Sequence, residues 1–311
     1  MICRYQDLHK HETVFKALTG LRVVEFDQLV IDIVPEYEQA EQKRLSRPNR
    51  KRAIGGGRNF ELDGRDQLLL SVIWLRAYPT QEVLGYLFGV SDTTAGRVPK
   101  RIVPLLEASG RDTMRMPDPG RKKRRQLSDL LADTPELAVV IDTFEQRVQR
   151  HKEPKQADEY YSGKKKQHTL KSQVAIDEMT GQIVDVADSV LGPTADLKVL
   201  EQSDLLNRLP DGVGAIGDLA YLGIDKLHPQ GLAKAPRRKP RGKPRPAEDV
   251  AYNHAFSQRR IVVEHTIGRM RRYQAITQTD RHHRQQHTAR VVAIAGLVNR
   301  QIAHRFPGLV A

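Results

Sequence analysis

The sequence predicts a mixed-sheet α/β domain preceded by an all-α region, and three observations carry that prediction. Before residue 120, apolar residues recur at helical spacing. From Leu137 onward they fall instead into short continuous runs and strict alternations, the patterns of buried and half-buried strands. Basic stretches at Arg47 to Arg52 and Arg121 to Arg125 mark the breaks between these regions. The expected organisation is a helical segment (1–46), a basic Gly-rich linker (47–62), a helical unit (63–120), a basic linker (121–136) and a sheet domain (137–311).

In residues 1–46, Val23, Val24, Phe26, Leu29, Val30, Ile33 and Val34 give an apolar stripe, read as a small packing unit. Gly55, Gly56 and Gly57 then rule out a cheap helix. Residues 63–109 read as three helices. Leu68, Leu69, Val72, Ile73 and Leu75 mark the first, with Trp74 in its core. The second runs from Thr80 to Phe88 and stops at Gly89. Ser91 caps the third, and Asp92 sits in its first turn. Pro99 and Pro104 are expected to interrupt or kink that helix. A short helix, a Gly-containing turn and a helix opening on Ser, Thr and Arg describe a helix-turn-helix. Thr93, Thr94, Arg97, Lys100 and Arg101 are its candidate contacts to double-stranded DNA. Three-helix units also occur without DNA.

In the second half, Leu137 to Ile141 is a buried strand and residues 151–167 a polar loop. Leu170, Ser172, Val174 and Ile176 alternate, turn at Asp177 to Gly181, and pair with Ile183 to Val190 as a hairpin. Asp196 to Leu209 is helical. Val213 to Gly217 and Gly231 to Ala235 are short strands. Residues 236–246, with four prolines and six basic residues, form an extended basic loop. Ala247 to Tyr273 and Thr288 to Arg305 are long helices. Three meandering strands, a crossover helix and a fourth strand returning beside the first is the topology of an RNase H-like core.

Charge narrows the functional classes. The 311 residues carry 51 Lys and Arg against 38 acids, a net +13, which favours phosphate partners. No run approaches the ~18 apolar residues of a membrane helix, and Met1 to Lys10 lacks a signal-peptide core. Cys3 is the single cysteine, so an intrachain disulfide and a cysteine zinc site are excluded. A cytoplasmic protein is expected.

The acids suggest the chemistry. Asp142 and Asp218 each end a buried strand; if those strands are parallel neighbours, the carboxylates lie side by side in the crevice at the strand ends. Glu264, on the long helix 46 positions later, can reach the same point. At ~4 Å and an effective dielectric near 20, each such pair costs about 4 kcal/mol, so the group must protonate or bind cations. Oxygen donors favour Mg²⁺, with Mn²⁺ able to substitute, and two ions about 3.5–4 Å apart would clamp a scissile phosphate. Asp142 as a plain turn residue, and Arg260–Glu264 as a surface ion pair of about 0.3–0.5 kcal/mol, remain open at this point. Arg260, Glu264, Gly268 and Arg271 share one helix face, a carboxylate set among cations.

Four segments carry a family resemblance. Val139 to Val148, with Asp142 at its centre, resembles the first-aspartate motif of DDE insertion-sequence transposases. The branch is the insertion sequence 5 group, similar also to Harbinger transposases. Tyr160 to Lys171, with Lys164, Lys165 and Lys166, resembles the family's basic segment leading into the second strand. Gly217-Asp218-Leu219-Ala220-Tyr221-Leu222-Gly223 resembles the second-aspartate motif, and Arg259 to His265 the glutamate helix. The resemblance covers roughly residues 60–305. It departs at Ser257, where relatives often carry Tyr, and at Arg271, where Lys is common; Arg keeps the phosphate-gripping charge. The 46-residue spacing leaves no room for a large insertion domain.

The resemblance implies cut-and-paste transposition. Asp142, Asp218 and Glu264 would be catalytic and hold two Mg²⁺ ions per active site. The partners would be double-stranded DNA, as terminal inverted repeats and target, and a second copy of the chain in a homodimer or larger assembly. Lys164, Lys165, Lys166, Arg237, Arg238, Lys239, Arg260 and Arg271 are the candidate backbone contacts. A metal-dependent nuclease without strand transfer, or an inactive DNA-binding regulator, are the rival readings. His282, His283 and His287 are expected to be solvated or phosphate-facing.

Overall fold

Side-chain alternation on one strand organises the whole molecule, described by a computed structural model over residues 3–46, 61–120 and 127–306. That strand is β1 (Ala138–Arg147). It pairs antiparallel with β3 (Gln167–Asp177) and parallel with β6 (Gly214–Ile216). β2 (Tyr161–Ser162), β4 (Ile183–Val186) and β5 (Val190–Leu191) pair with β3, and β7 (Ala233–Lys234) extends the sheet beyond β6. The mixed sheet, with β6 returning beside β1 after the crossover helix α8 (Asp196–Ser203), has the RNase H-like arrangement.

Successive β1 side chains point to opposite faces. Val139 and Ile141 join Leu200, Ala215 and Tyr221 on the α8 side. Ala138, Val140 and Phe144 face α10 (Ala247–Met270) and α11 (His287–Arg305), in a core that continues into the N-terminal helices.

Those helices are α1 (Tyr5–Leu8), α2 (Glu12–Thr19), α3 (Val23–Leu45), α4 (Gly64–Ala77), α5 (Gln81–Phe88) and α6 (Asp92–Asp112). Each of the last three opens on a side-chain cap: Asp63, Thr80 and Ser91 accept from the backbone N–H groups of Asp66, Val83 and Thr94. Trp74 is buried, as its apolar setting predicts. The expected break at Pro99 and Pro104 does not occur. α6 runs unbroken through both, because Ala95, Val98, Ile102, Val103 and Leu106 are buried in the core. That packing offsets the roughly 3 kcal/mol an interior proline costs.

The same helix crosses α11 at a point of close approach. A Cβ added to Gly296 would lie 2.4 Å from Gly110 Cα, so only two glycines permit the crossing. One apolar core therefore joins the helix-turn-helix to the sheet domain. The segment 151–167 is not a plain loop; it holds α7 (Pro154–Glu159) and β2. Residues 47–60, most of the expected first linker, and the basic run Arg121 to Arg125 lie outside the described residues.

Candidate active site and nucleic-acid interface

Register places the two aspartates. Val140 pairs with Ile216 across the parallel β1–β6 ladder, and each aspartate follows two residues later in its own chain. Neighbouring strands lie about 4.8 Å apart, so Asp142 and Asp218 stand side by side where β6 ends. Asp142 does not end its strand as expected. β1 continues to Arg147 against β3, with Asp142 opposite Val174. The apolar run stops at Asp142 because the sheet face opens there, not because the strand does.

Beyond β6 the chain turns tightly. Asp218 Oδ1 accepts from the Ala220 N–H at 2.9 Å and opens a 3-10 turn, Leu219–Tyr221. The turn folds the Tyr221 ring back against the strand. A Cβ on Gly217 would meet that ring at 2.6 Å, which accounts for the glycine before the aspartate.

Electrostatics couples the pair. Burial pushes the Asp142 carboxyl above its ordinary range, the Thr143 N–H and the Arg260 guanidinium pull it down, and Asp218 and Asp196 push it up again. Arg260 Nη2 lies 3.6 Å from Asp142 Oδ2. Arg260 therefore faces Asp142, and no Arg260–Glu264 pair is formed. Its buried Nε has no hydrogen-bond partner among the described residues. Asp196, which the sequence reading passed over as a helix residue, belongs to this acidic neighbourhood. Lys171 Nζ holds it at 2.6 Å, both side chains being nearly buried. Its position at the first turn of α8 was the available signal; Lys171 lies in a strand that also carries Thr169, Ser172 and Gln173 and does not stand out.

Glu264 lies one turn beyond Arg260 on α10, and its side chain is exposed. Among the described residues no three carboxylate, histidine or cysteine side chains are grouped closely enough to hold a metal ion by themselves. The structure sets Asp142 beside Asp218, and Glu264 stands exposed on α10. An exposed glutamate is free to rotate, and which rotamer it takes is not encoded in its spacing from Asp218.

The donor set suits a hard divalent cation nonetheless. Mg²⁺ is commonly held by one or two carboxylates, with waters and substrate phosphates completing its octahedron. Asp142 and Asp218 supply such oxygens, with the Arg260 guanidinium beside Asp142.

The remaining candidates divide by partner. Thr93, Thr94, Arg97 and Lys100 are exposed on α6, and Ser91 Oγ and Thr94 Oγ1 are hydrogen-bonded at 2.9 Å. Arg101 instead turns inward, with Nη1 3.6 Å from Glu41 of α3. Lys164, Lys165 and Lys166 form the exposed tip of the β2–β3 hairpin. Arg237 is fastened to α10. Its Nη1 lies 3.1 Å from Asp249 Oδ1, its guanidinium stacks 4.0 Å above the Tyr252 ring, and Asn253 bonds its backbone. Arg238 and Lys239 are exposed beside it, and Arg271 is exposed at the end of α10. Ser257 donates only to the His254 carbonyl within its own helix.

His287 is neither solvated nor phosphate-facing. It is fully buried between Ser189 Oγ at 2.7 Å and Gln146 Oε1 at 2.8 Å. His282 is half-buried against Trp74 and Tyr78. Among the described residues no helix is long and apolar enough to cross a membrane.

Comparison with known proteins agrees with this geometry. Residues 61–112, spanning α4 to α6, match the helix-turn-helix of DDE superfamily endonuclease. A curated protein of Microchaete diplosiphon, "Probable transposase for insertion sequence element IS702", is 28% identical over 289 residues, covering 93% of this chain and 94% of its own. Residues 141–299, from β1 through most of α11, match the DDE superfamily endonuclease model, so the chain belongs to the DDE superfamily of endonucleases.

Proposed function

We propose that this chain is a DNA transposase that binds the terminal inverted repeats of an insertion sequence, cuts the strand there and joins the freed 3′-hydroxyl to target DNA. The observation that carries the reading is the in-register placement of Asp142 beside Asp218, with Arg260 over them. The full-length similarity to a protein described as a transposase supports it.

Each residue has a task in this reading. Asp142 and Asp218 present carboxylate oxygens side by side at the scissile phosphate. Glu264 completes the set by rotating inward from its exposed turn of α10. Two divalent ions, Mg²⁺ or Mn²⁺, would supply activation of the attacking water or hydroxyl and stabilisation of the leaving oxygen. Arg260, its guanidinium beside Asp142, contributes positive charge where the phosphate would bind. Thr93, Thr94, Arg97 and Lys100 enter the major groove at the N-terminal half of α6. Lys164 to Lys166, Arg238, Lys239 and Arg271 grip the backbone. Residues 63–120 thus act as the DNA-binding unit and 137–311 as the catalytic one. Two transposon ends must be held together, so a homodimer or larger assembly does the work.

The test is incubation of the protein and Mg²⁺ with labelled terminal DNA and a target duplex. Strand-transfer products are expected. Cleavage without joining would make the chain a nuclease, and binding alone a regulator; either overturns the proposal.

A further inference from the structure

A second basic site lies away from both the helix-turn-helix and the aspartates. It is a cleft of about 410 Å³ between the N-terminal helices and the C-terminal ends of α10 and α11. Lys16 of α2 and Arg22 stand on one wall, and Arg269, Arg272 and Arg305 on the other. The floor is fixed: Gln301 Nε2 donates to the Gly20 carbonyl at 3.0 Å and to Tyr273 Oη at 2.9 Å, joining α11 to the end of α2.

The charge in this cleft is not balanced. Glu25 is its one carboxylate, and Arg22 occupies it, through the backbone N–H at 2.7 Å and Nε at 3.0 Å. Among the described residues Lys16, Arg269, Arg272 and Arg305 pair with no carboxylate. Burial lowers the Arg269 pKa, and Arg305 and Arg272 lower it further. Holding like charges together is unfavourable unless an anion occupies the space between them.

The lining indicates which anion. The cations come from separate elements and are mostly exposed, while Tyr273 is buried, so no aromatic face is offered to a base. Such a lining reads phosphate and not sequence. Arg269 is nine residues, two and a half turns, from Arg260, so it stands on the opposite side of α10 and serves a surface separate from the aspartates.

We propose that this cleft binds the sugar–phosphate backbone of duplex DNA through Lys16, Arg269, Arg272 and Arg305. The N-terminal helices are then part of the DNA-binding surface and not only a packing unit. The proposal rests on the reading of the chain as an enzyme of duplex DNA. It adds a sequence-independent grip on DNA.

The test uses the full chain, with the triple variant Arg269→Gln, Arg272→Gln, Arg305→Gln and an arbitrary-sequence duplex. Log–log plots of affinity against salt are compared. Three lost phosphate contacts should make the slope shallower by about 2.7, with at least a tenfold loss of affinity at low salt. An unchanged slope, with the parent protein binding normally, overturns the cleft alone. A parent protein that binds no duplex overturns the functional reading as well. A second measurement needs no variant: acetylation of Lys16 in the parent protein, followed by mass spectrometry. Protection by duplex but not by inorganic phosphate is expected. Protection by neither, or equally by both at matched phosphate concentration, overturns the proposal.

Discussion

Arg260 reaches across from α10 to Asp142, its Nη2 3.6 Å from Oδ2, and so occupies the place of a counter-ion between helix and sheet. Both side chains are largely shielded, 13% and 24% exposed, so neither is satisfied by water alone. The guanidinium and a divalent cation compete for the same carboxylate oxygen.

Thermal unfolding tests that competition without any DNA. Ligand binding to the native state raises stability by RT ln(1 + [L]/Kd). Arg260→Ala leaves the aspartate pair uncompensated, so added Mg²⁺ should raise its Tm by several degrees more than it raises that of the parent. Asp142→Asn should show no Mg²⁺ shift, and should lose strand cleavage by at least about a thousandfold while keeping duplex affinity. Equal Mg²⁺ shifts in all three proteins would remove the aspartates from any metal site.

The different settings of Arg97 and Arg101 predict a contrast within α6. Arg97 is exposed, whereas Arg101 faces Glu41. Arg97→Ala should weaken binding to the terminal repeat by about 1–3 kcal/mol and relax its base preference. Arg101→Ala should lower stability and leave base preference intact. Competition binding against mutated repeats decides this, and loss of base preference only in the Arg101 variant would reverse the assignment of the reading face.

Periodicity and caps made the helices and strands legible, because they depend on neighbours three or four residues away. Ser91 and the run before Asp142 are such signals. What escaped depends on distant neighbours. Asp142 sits mid-strand because β3 outlasts β6. Gly110 and Gly296 are 186 positions apart, so no local pattern announces their contact. Arg237 among six basic residues looks like its neighbours until Asp249 and Tyr252 are packed beside it. Arg260 and Glu264 share one face of α10, yet only Arg260 meets Asp142 while Glu264 is exposed one turn on, and no spacing along the chain specifies which of the two the sheet covers.

Histidine burial predicts acid sensitivity. Burial, with Arg290 nearby, lowers the His287 pKa to about 3, and burial lowers that of His282 to about 4. Above an unfolded pKa near 6.5 both states are neutral and the full stability is present. As pH falls below 6.5, the unfolded chain takes up protons that the fold refuses until pH approaches 4 and then 3. Stability should fall by about 1.4 kcal/mol per pH unit for buried His287, and by less for half-buried His282, whose charge water partly screens. In urea unfolding from pH 7 to 4.5, His287→Gln should have the flatter profile; parallel curves would show that His287 titrates normally.

A buried ion pair holds α10 in place. Arg259, immediately before Arg260, is buried with Glu178, each side chain 1% exposed. Its Nε donates to Glu178 Oε1 at 2.8 Å, Nη1 to Thr134 Oγ1 at 2.7 Å and Nη2 to the Pro135 carbonyl at 2.8 Å. One guanidinium thus joins the helix carrying Arg260 and Glu264 to the β3–β4 turn and to the segment entering β1. Removing the guanidinium takes its hydrogen bonds from the buried Glu178 carboxylate, so Arg259→Met should cost about 3–5 kcal/mol. Replacing both partners, Arg259→Met with Glu178→Met, removes the buried charge and should restore most of that stability. The stabilised double variant should still cleave DNA poorly, because apolar contact does not hold the angular position of α10 as four directed hydrogen bonds do. Urea unfolding and cleavage measured on the same samples separate the two effects. A double variant both stable and fully active would show that burial alone, without the guanidinium, orients Arg260 toward Asp142.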